Sequence, residues 1–546
     1  MLYFSTILLS VFITISLIPM LTRLAGRFQM VDLPDPRKVH TRPIPRIGGF
    51  AMALGAFFPI VLWTAVDDFV RAYLAGAGIL VIFGLLDDMK GLGYRVKFAA
   101  QIIAGMIVVF FGGVRIESLG TLLPGMLQIP EWFSFPLSVV AIVGVTNAIN
   151  LADGLDGLAG GISLLCFCCI GYLAYLDENT VVMLLSLSLA GAIFGFLRYN
   201  THPASLFMGD TGSQLLGFSA IVLTLKITQG DTPFSPVLPL IVLGFPVLDT
   251  LTVMVERIRE GRSPFSPDKN HFHHRLINLG LSHADAVFSI YLIQAVMVVS
   301  AIIFKYHNDW LLLAFYVSFS VLVIIAFTAA DRNGFRFKHF PSILDLFSGR
   351  LRNIKDLHLI IKVSFPVSKV IVPLLFLISC LFPARIPLYF SIIAGCFACL
   401  IVGVRIFGKS RMGFCLRFVL FLTIPLILYL VKQEKAFWVS PQLVNLYHIS
   451  FGITAFFIIL VTKYSRRLQG FRMTTMDFLI VFIGVVIPNL PDHSMQSHQL
   501  GLLTVQIVVL LFGYEVLIKE LRGRFNSLTA STLISLGLIS IRGFLF

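Results

Sequence analysis

Charge is scarce in this chain. Asp, Glu, Lys and Arg make up 13% of its 546 residues, about half the roughly 25% of an ordinary globular protein. That shortage excludes intrinsic disorder and an ordinary soluble enzyme. Cysteine pairs with a redox or zinc context are also missing. The seven cysteines (Cys166, Cys168, Cys169, Cys380, Cys396, Cys399 and Cys415) all lie in or beside apolar segments. Cys396 and Cys399 have CxxC spacing but sit inside IIAGCFACLIVGV, where packing accounts for them better than metal or redox work. Residues 1–20 have no basic start and no small-residue cleavage site, so they read as a membrane helix rather than a signal peptide. No internal repeat is visible.

What the chain has instead is apolar sequence: 57% of its residues are hydrophobic. Segments suited to a bilayer fall near 2–20, 48–66, 70–86, 98–112, 136–150, 159–176, 181–197, 213–228, 235–255, 285–304 and 310–329. The fold expected is therefore all-α, a polytopic integral membrane protein with an eleven-span core. A mixed-charge linker follows at 331–365, and about seven more spans lie near 366–382, 387–404, 415–431, 446–462, 476–490, 500–517 and 527–545. The net charge of +14 sits in alternate loops, chiefly 21–47, 87–97, 256–284 and 330–365, while 67–69, 177–180 and 230–234 carry no Lys or Arg. The positive-inside rule puts the basic loops in the cytoplasm and the N-terminus outside. The charge is thus read as topogenic, and no nucleic-acid partner is expected.

The residues that resist this composition are the informative ones. Asp87 and Asp88 end the third segment, in GLLDDMKG. Adjacent carboxylates repel, and a helix C-terminus adds the negative end of the macrodipole, so a cation is implied. Two solvated acids at a membrane surface would account for them equally well. In NAINLADGLDGLAGG, Asn147, Asn150, Asp153 and Asp156 recur every third residue and would stack along one helix face. Helix capping explains one of the four. RYNTHPASLFMGDTGS supplies Asn200, His202, Phe207, Asp210, Thr211 and Ser213. There Asp210 would cap the eighth segment with oxygen capacity left for magnesium. Phe207 would stack on a base or pack at the interface. SPFSPDKNHFHHRL groups His271, His273 and His274 with Lys269 and Arg275. No cysteine is near, so a basic cradle for phosphate fits better than structural zinc. All four clusters share one side of the membrane. Carboxylates facing a cationic cradle are the parts for metal-assisted transfer of a phosphoryl-linked group.

These residues resemble the polyprenyl-phosphate N-acetylhexosamine-1-phosphate transferases, a glycosyltransferase 4 type. The motifs run in order through DLPDPRKVHTRPIPRIGG (32–49), GLLDDMKGLGYRVKFAAQ (84–101), NAINLADGLDGLAGG (147–161), NTHPASLFMGDTGS (200–213) and SPFSPDKNHFHHRL (263–276). The resemblance covers residues 1 to about 330 and leaves the extension from 366 without a role. It implies transfer of sugar 1-phosphate from a UDP-sugar to undecaprenyl phosphate, giving the lipid diphosphate sugar and UMP, in a bacterial inner membrane. Mg2+ (or Mn2+) is the cofactor it implies, and UDP-N-acetylhexosamine, polyprenyl phosphate and membrane lipid are the partners, with a homodimer allowed. By motif position Asp210 would be the metal ligand. Asp87 and Asp88 would lie at the reacting phosphates, Asp87 deprotonating the lipid phosphate. Asn150, Asp153, Asp156, Phe207 and Asn200 would bind the nucleotide sugar. Lys97, Gln101, Lys269 and Arg275 would meet diphosphate and lipid phosphate, and His271, His273 and His274 would act catalytically beside them. Single displacement is the expected mechanism, with a covalent aspartyl intermediate as the other course.

HFHHRL, with Phe272 interrupting the histidines, favours the N-acetylglucosamine branch over phospho-N-acetylmuramoyl-pentapeptide transferase. Ser205 stands where a basic residue often precedes FMGD. The expected pathways are O-antigen, lipopolysaccharide or teichoic-acid synthesis. The rival of another class is a polytopic lipid or sugar transporter, which would place its ionisable residues near the bilayer midplane.

Overall fold

The computed structural model describes residues 2–28, 30–33, 43–124, 127–263, 270–332, 357–408, 412–433, 436–464, 479, 500–521 and 523–545. They fold almost wholly as helix. The strands described are a short antiparallel ribbon, β1 (Val31–Asp32) and β2 (Ile44–Pro45). The chain divides into two compact units, Met1–Phe340 with Thr474–Leu479, and Pro341–Met473 with Ile480–Phe546.

The first unit holds α1 (Leu2–Ala25), α2 (Gly48–Trp63), α3 (Asp68–Lys90), α4 (Tyr94–Phe111), α5 (Glu131–Ala152), α6 (Leu158–Leu176) and α7 (Thr180–Asn200). It continues with α8 (Gly209–Thr228), α9 (Leu238–Val242), α10 (Gly244–Arg259), α11 (Phe272–Asn278), α12 (His283–Phe304) and α13 (Asp309–Arg332). Local chemistry sets several ends. Asp67 caps α3 by accepting from the Val70 amide at 2.7 Å, and α3 stops at Gly91, whose φ of +66° suits glycine. Asn179 caps α7 through the Val182 amide, and Ser282 caps α12 through the Asp285 amide.

Thirteen helices among the described residues are long and apolar enough to cross a membrane, eight of them in the first unit. The chain is a multi-pass membrane protein. Each expected core segment forms helix, but three depart from a plain span. α2 is only 16 residues long. α8 opens on Asp210, Thr211, Ser213 and Gln214, which lowers its apolarity. The ninth segment, expected to run unbroken over 235–255, parts at Leu243 into α9 and α10. Gln294 of α12 repairs that break, donating to the Val242 carbonyl at 2.8 Å and accepting from the Phe245 amide at 3.1 Å. A buried chain interruption in lipid requires such a partner.

α8 is buried along nearly its whole length. Small residues let its neighbours come close: a Cβ on Gly84 of α3 would lie 2.5 Å from the Thr211 Cα, and one on Gly217 of α8 2.7 Å from the Thr146 Cα of α5. Backbones packed this way bring the polar helix ends together.

The second unit holds α14 (Leu357–Leu381), α15 (Leu388–Phe407), α16 (Met412–Gln433), α17 (Pro441–Tyr464), α18 (Leu500–Leu521) and α19 (Asn526–Leu545). α14 begins inside the expected linker of 331–365. α18 carries Glu515, Lys519 and Glu520 near its end and is not among the thirteen apolar spans. The expected span at 476–490 lies outside the described residues save for Leu479. Arg542 of α19 donates to the carbonyls of Cys380, Leu381 and Pro383, which closes the C-terminus of α14. Arg417 pairs with Glu515 at 2.8 Å.

Replacing Gly84 by valine should overpack the α3–α8 contact and cost about 1–3 kcal/mol. Thermal unfolding of the detergent-solubilised protein, read against Gly78→Val, where a Cβ meets nothing within 4 Å, measures this.

Candidate active site

Four helix ends meet at one place: the C-termini of α3 and α5 and the N-termini of α4 and α8. Asp87 arrives on the first, Asn150 on the second, Lys97 on the third and Asp210 on the fourth. The Lys97 ammonium lies between the two acids, donating to Asp87 Oδ2 at 2.9 Å and to Asp210 Oδ2 at 2.6 Å. Asn150 Nδ2 donates to Asp210 Oδ1 at 3.3 Å and to Ser213 Oγ at 2.7 Å. Beneath them Gln101 is buried and accepts from Asn147 Nδ2 at 2.7 Å. Segments from three motifs thus meet in one cluster, with Asn150 joined to the Lys97 ammonium through Asp210.

The adjacent acids of the DD pair have different surroundings. Asp88 turns inward and bonds the first turn of α8. Its Oδ1 accepts from the Asp210 amide at 3.0 Å, and its Oδ2 from the Thr211 amide at 3.1 Å and hydroxyl at 2.7 Å. The expected cap of α8 was Asp210 itself. The residue at the cap position is Met208, which offers no side-chain bond, and Asp88 supplies the acceptors from α3. Gly209 allows this: its φ is +69°, and a Cβ there would lie 2.4 Å from Asp88 Oδ2. Asp88 therefore positions Asp210. Asp87, by contrast, keeps a buried Oδ1 with no hydrogen-bond partner among the described residues.

The expected stripe of Asn147, Asn150, Asp153 and Asp156 on one helix face does not form. α5 ends at Ala152, Asp153 caps it, and the DGLDG glycines turn the chain into α6 through Gly157 at φ +82°. Glycine and aspartate favour such a turn over further helix. Asp153 is thereby placed near other acids. Burial pushes its carboxyl up to about 7, with the charges of Asp210, Asp88 and Asp156 adding to the effect. Asp156 bonds elsewhere: its Oδ2 accepts from the Ala204 amide at 3.0 Å and lies 2.8 Å from His202 Nδ1.

Asn200 is spent on backbone. Its Oδ1 accepts from the Gly157 amide at 2.9 Å and its Nδ2 donates to the Leu206 carbonyl at 2.8 Å, tying the DGLDG turn to the FMGD loop. Phe207 is half-buried, and its backbone is pinned between Pro45 and Gly48.

The histidine motif is built differently from the cationic cradle expected of it. His271 is buried, and its Nδ1 lies 2.9 Å from Asp249 Oδ2, while Asp249 Oδ1 accepts from the Phe272 amide at 2.8 Å. His273 packs on the DGLDG turn so closely that a Cβ on Gly154 would lie 2.3 Å from its Nε2. Burial, with the neighbouring His274, holds its ring well below the usual range, at about 4, so it is neutral at pH 7. His274 lies beside it, ring centroids 4.2 Å apart. Arg275 pairs with Glu256 and donates its Nε to the Asn270 carbonyl at 2.7 Å, so it holds the motif together. Lys269 lies outside the described residues.

Asp249 escaped the sequence reading, although an acid inside the apolar run GFPVLDTLTV was itself a signal. So did Glu256, and Tyr291, whose hydroxyl donates to the Gly157 carbonyl at 2.6 Å.

Comparison with known proteins adds a family context. Residues 70–228 match the model of glycosyl transferase family 4. A Bacillus subtilis (strain 168) protein named "Probable undecaprenyl-phosphate N-acetylglucosaminyl 1-phosphate transferase" is 37% identical over 315 residues, covering 57% of this chain and 85% of that protein. The undecaprenyl-phosphate alpha-N-acetylglucosaminyl 1-phosphate transferase of Escherichia coli O157:H7 is 32% identical over 332 residues, covering 59% of this chain and 89% of its own. A Yersinia pestis protein of the same name is 30% identical over 302 residues, covering 54% and 83%.

The two members of the DD pair should separate in stability measurements. Asp88→Ala leaves helix N–H groups without acceptors and should cost about 1–2 kcal/mol. Asp87→Asn should stay within about 0.5 kcal/mol of wild type. Thermal unfolding of both variants distinguishes them. His273 predicts a pH effect. Its folded pKa of about 4 lies below the unfolded value near 6.5, so its share of stability is intact above about pH 6.5 and is lost as pH falls toward 4. His273→Gln should therefore lose less thermal stability than wild type between pH 7 and pH 5.

Proposed function

Given that this chain belongs to glycosyl transferase family 4, we propose that it transfers N-acetylglucosamine 1-phosphate from UDP-N-acetylglucosamine to undecaprenyl phosphate. The products are undecaprenyl diphosphate N-acetylglucosamine and UMP. The observation that carries this reading is the convergence of Asp87 and Lys97 from one motif and Asp210 from another onto one contact. The names of the relatives supply the substrates.

In the reaction an oxygen of the lipid phosphate attacks the sugar-bearing phosphorus of the donor. A new P–O–P linkage forms, the linkage to the uridine-bearing phosphate breaks, and UMP leaves with the electron pair. Asp87 Oδ1, buried and without a donor, is placed to take any proton on the attacking phosphate. Lys97 neutralises phosphate oxygens and offsets the facing charges of Asp87 and Asp210. Asp88 fixes Asp210 through α8, and Asn150 orients its other oxygen. Asp153, on the DGLDG turn, would meet the nucleotide, and His273 contributes a neutral ring.

A divalent ion of the magnesium type fits this donor set. Asp210 and Asp87 present hard carboxylate oxygens around a position that already attracts a cation, and one of those oxygens is orphaned. Asp210 would hold the ion, which supplies charge neutralisation to the diphosphate when bound.

The basic loops put this face in the cytoplasm, where a nucleotide sugar is available, with the N-terminus outside. An inner-membrane enzyme of this kind starts an envelope glycan such as O-antigen or a teichoic-acid linker.

Purified protein with Mg2+, undecaprenyl phosphate and labelled UDP-N-acetylglucosamine should release UMP and form a lipid-linked sugar. Failure with every UDP-N-acetylhexosamine sinks the proposal. Asp210→Asn should abolish turnover more completely than alanine at any one of His271, His273 or His274. Near-normal turnover in Asp210→Asn would remove the metal assignment.

A further inference from the structure

A second constellation lies on the same loop system and shares no residue with the Lys97 contact. Asp156 comes from the turn between α5 and α6, His202 from the loop after α7, and His283 from the first residue of α12. Each offers a ligand atom, and the three atoms lie within 4.8 Å of one another. The two imidazole rings stack at 4.1 Å between centroids, tilted by 17°. His202 Nδ1 lies 2.8 Å from Asp156 Oδ2. His283 Nε2 is buried and has no hydrogen-bond partner among the described residues.

Two facing imidazoles beside one carboxylate are poorly explained as packing alone. A buried ring nitrogen without a partner is unfavourable. Protonating both rings would place like charges in contact. A metal ion resolves both difficulties, since neutral imidazole nitrogens become donors to it. We propose that Asp156, His202 and His283 form a binding site for a borderline first-row divalent ion, Zn2+ foremost. The site is separate from the one at Asp210 and ties the DGLDG turn, the NTHPAS loop and the start of α12 together.

The donor set decides the class of ion. Two nitrogens and one carboxylate oxygen suit Zn2+ and its neighbours, whereas magnesium prefers oxygen alone. Zinc binds such ligands at roughly 2.0–2.2 Å and in the plane of each ring, so the stacked imidazoles must swing out of parallel as the three atoms close onto one ion. A fourth position remains for water.

The full-length protein in detergent, stripped with a chelator and desalted, is titrated with Zn2+ in the presence of Mg2+. Bound metal is measured by mass spectrometry and unfolding by thermal melt. Wild type should retain about one equivalent and melt several degrees higher with zinc than without. His202→Ala and His283→Ala should lose both the equivalent and the shift. If wild type holds no stoichiometric zinc, or if the variants hold it unchanged, the site is refuted. Should a variant fail to fold, diethyl pyrocarbonate modification of wild type decides the matter. Zinc should protect His202 and His283, and protection confined to His271, His273 and His274 would overturn the assignment. None of these readouts depends on transferase turnover, so the two proposals stand or fall separately.

Discussion

The amides of Asp210 and Thr211 open a helix buried along its length, where water is not at hand to accept from them. Asp88 accepts from both, and the arrangement of the candidate site follows from that demand. By reaching across from α3, Asp88 fixes the start of α8 against the end of α3. Asp210 is then held within reach of Lys97, and Asp87, one residue back along α3, faces the same ammonium. Two neighbouring carboxylates thereby perform unlike tasks. One is saturated with donors and holds the architecture. The other keeps an oxygen free for chemistry.

Much of this was legible beforehand. Long apolar runs revealed the helices because lipid admits little else. The motifs identified Asp87, Lys97, Asn150 and Asp210 as companions, and the fold brings them together. The failures have physical causes. Three-residue spacing looked helical through Asp156, but the glycines of DGLDG end the helix at Ala152 first. Asp210 looked like its own helix cap because sequence shows local acceptors and cannot show one arriving from α3. His273 looked like part of a cationic cradle because burial is invisible in a string of letters. Asn200 and Arg275, read as ligand contacts, spend their polar atoms on backbone and on Glu256. Asp249 was hidden inside an apolar run whose hydropathy drew attention away from it.

The second unit shows a plainer logic. Its helices bury aliphatic and aromatic side chains, and its polar contacts are structural: Arg542 on the end of α14, Arg417 on Glu515, and Tyr447 against Ser379. The acids that carry chemistry in the first unit have no counterpart constellation among the described residues of the second. Its role is one the relatives do not illuminate, since their alignments span little more than half of this chain.

Gly209 and Asp88 touch so closely that a methyl group at position 209 would displace the carboxylate at 88. Neither residue can drift alone. A side chain at 209 evicts the acceptor that Asp210 and Thr211 need, and a longer acid at 88 meets the glycine backbone. The two positions are therefore one heritable unit, separated by more than a hundred residues of chain yet open to change only in a single concerted step. Lineages that retain the reaction should retain both letters together.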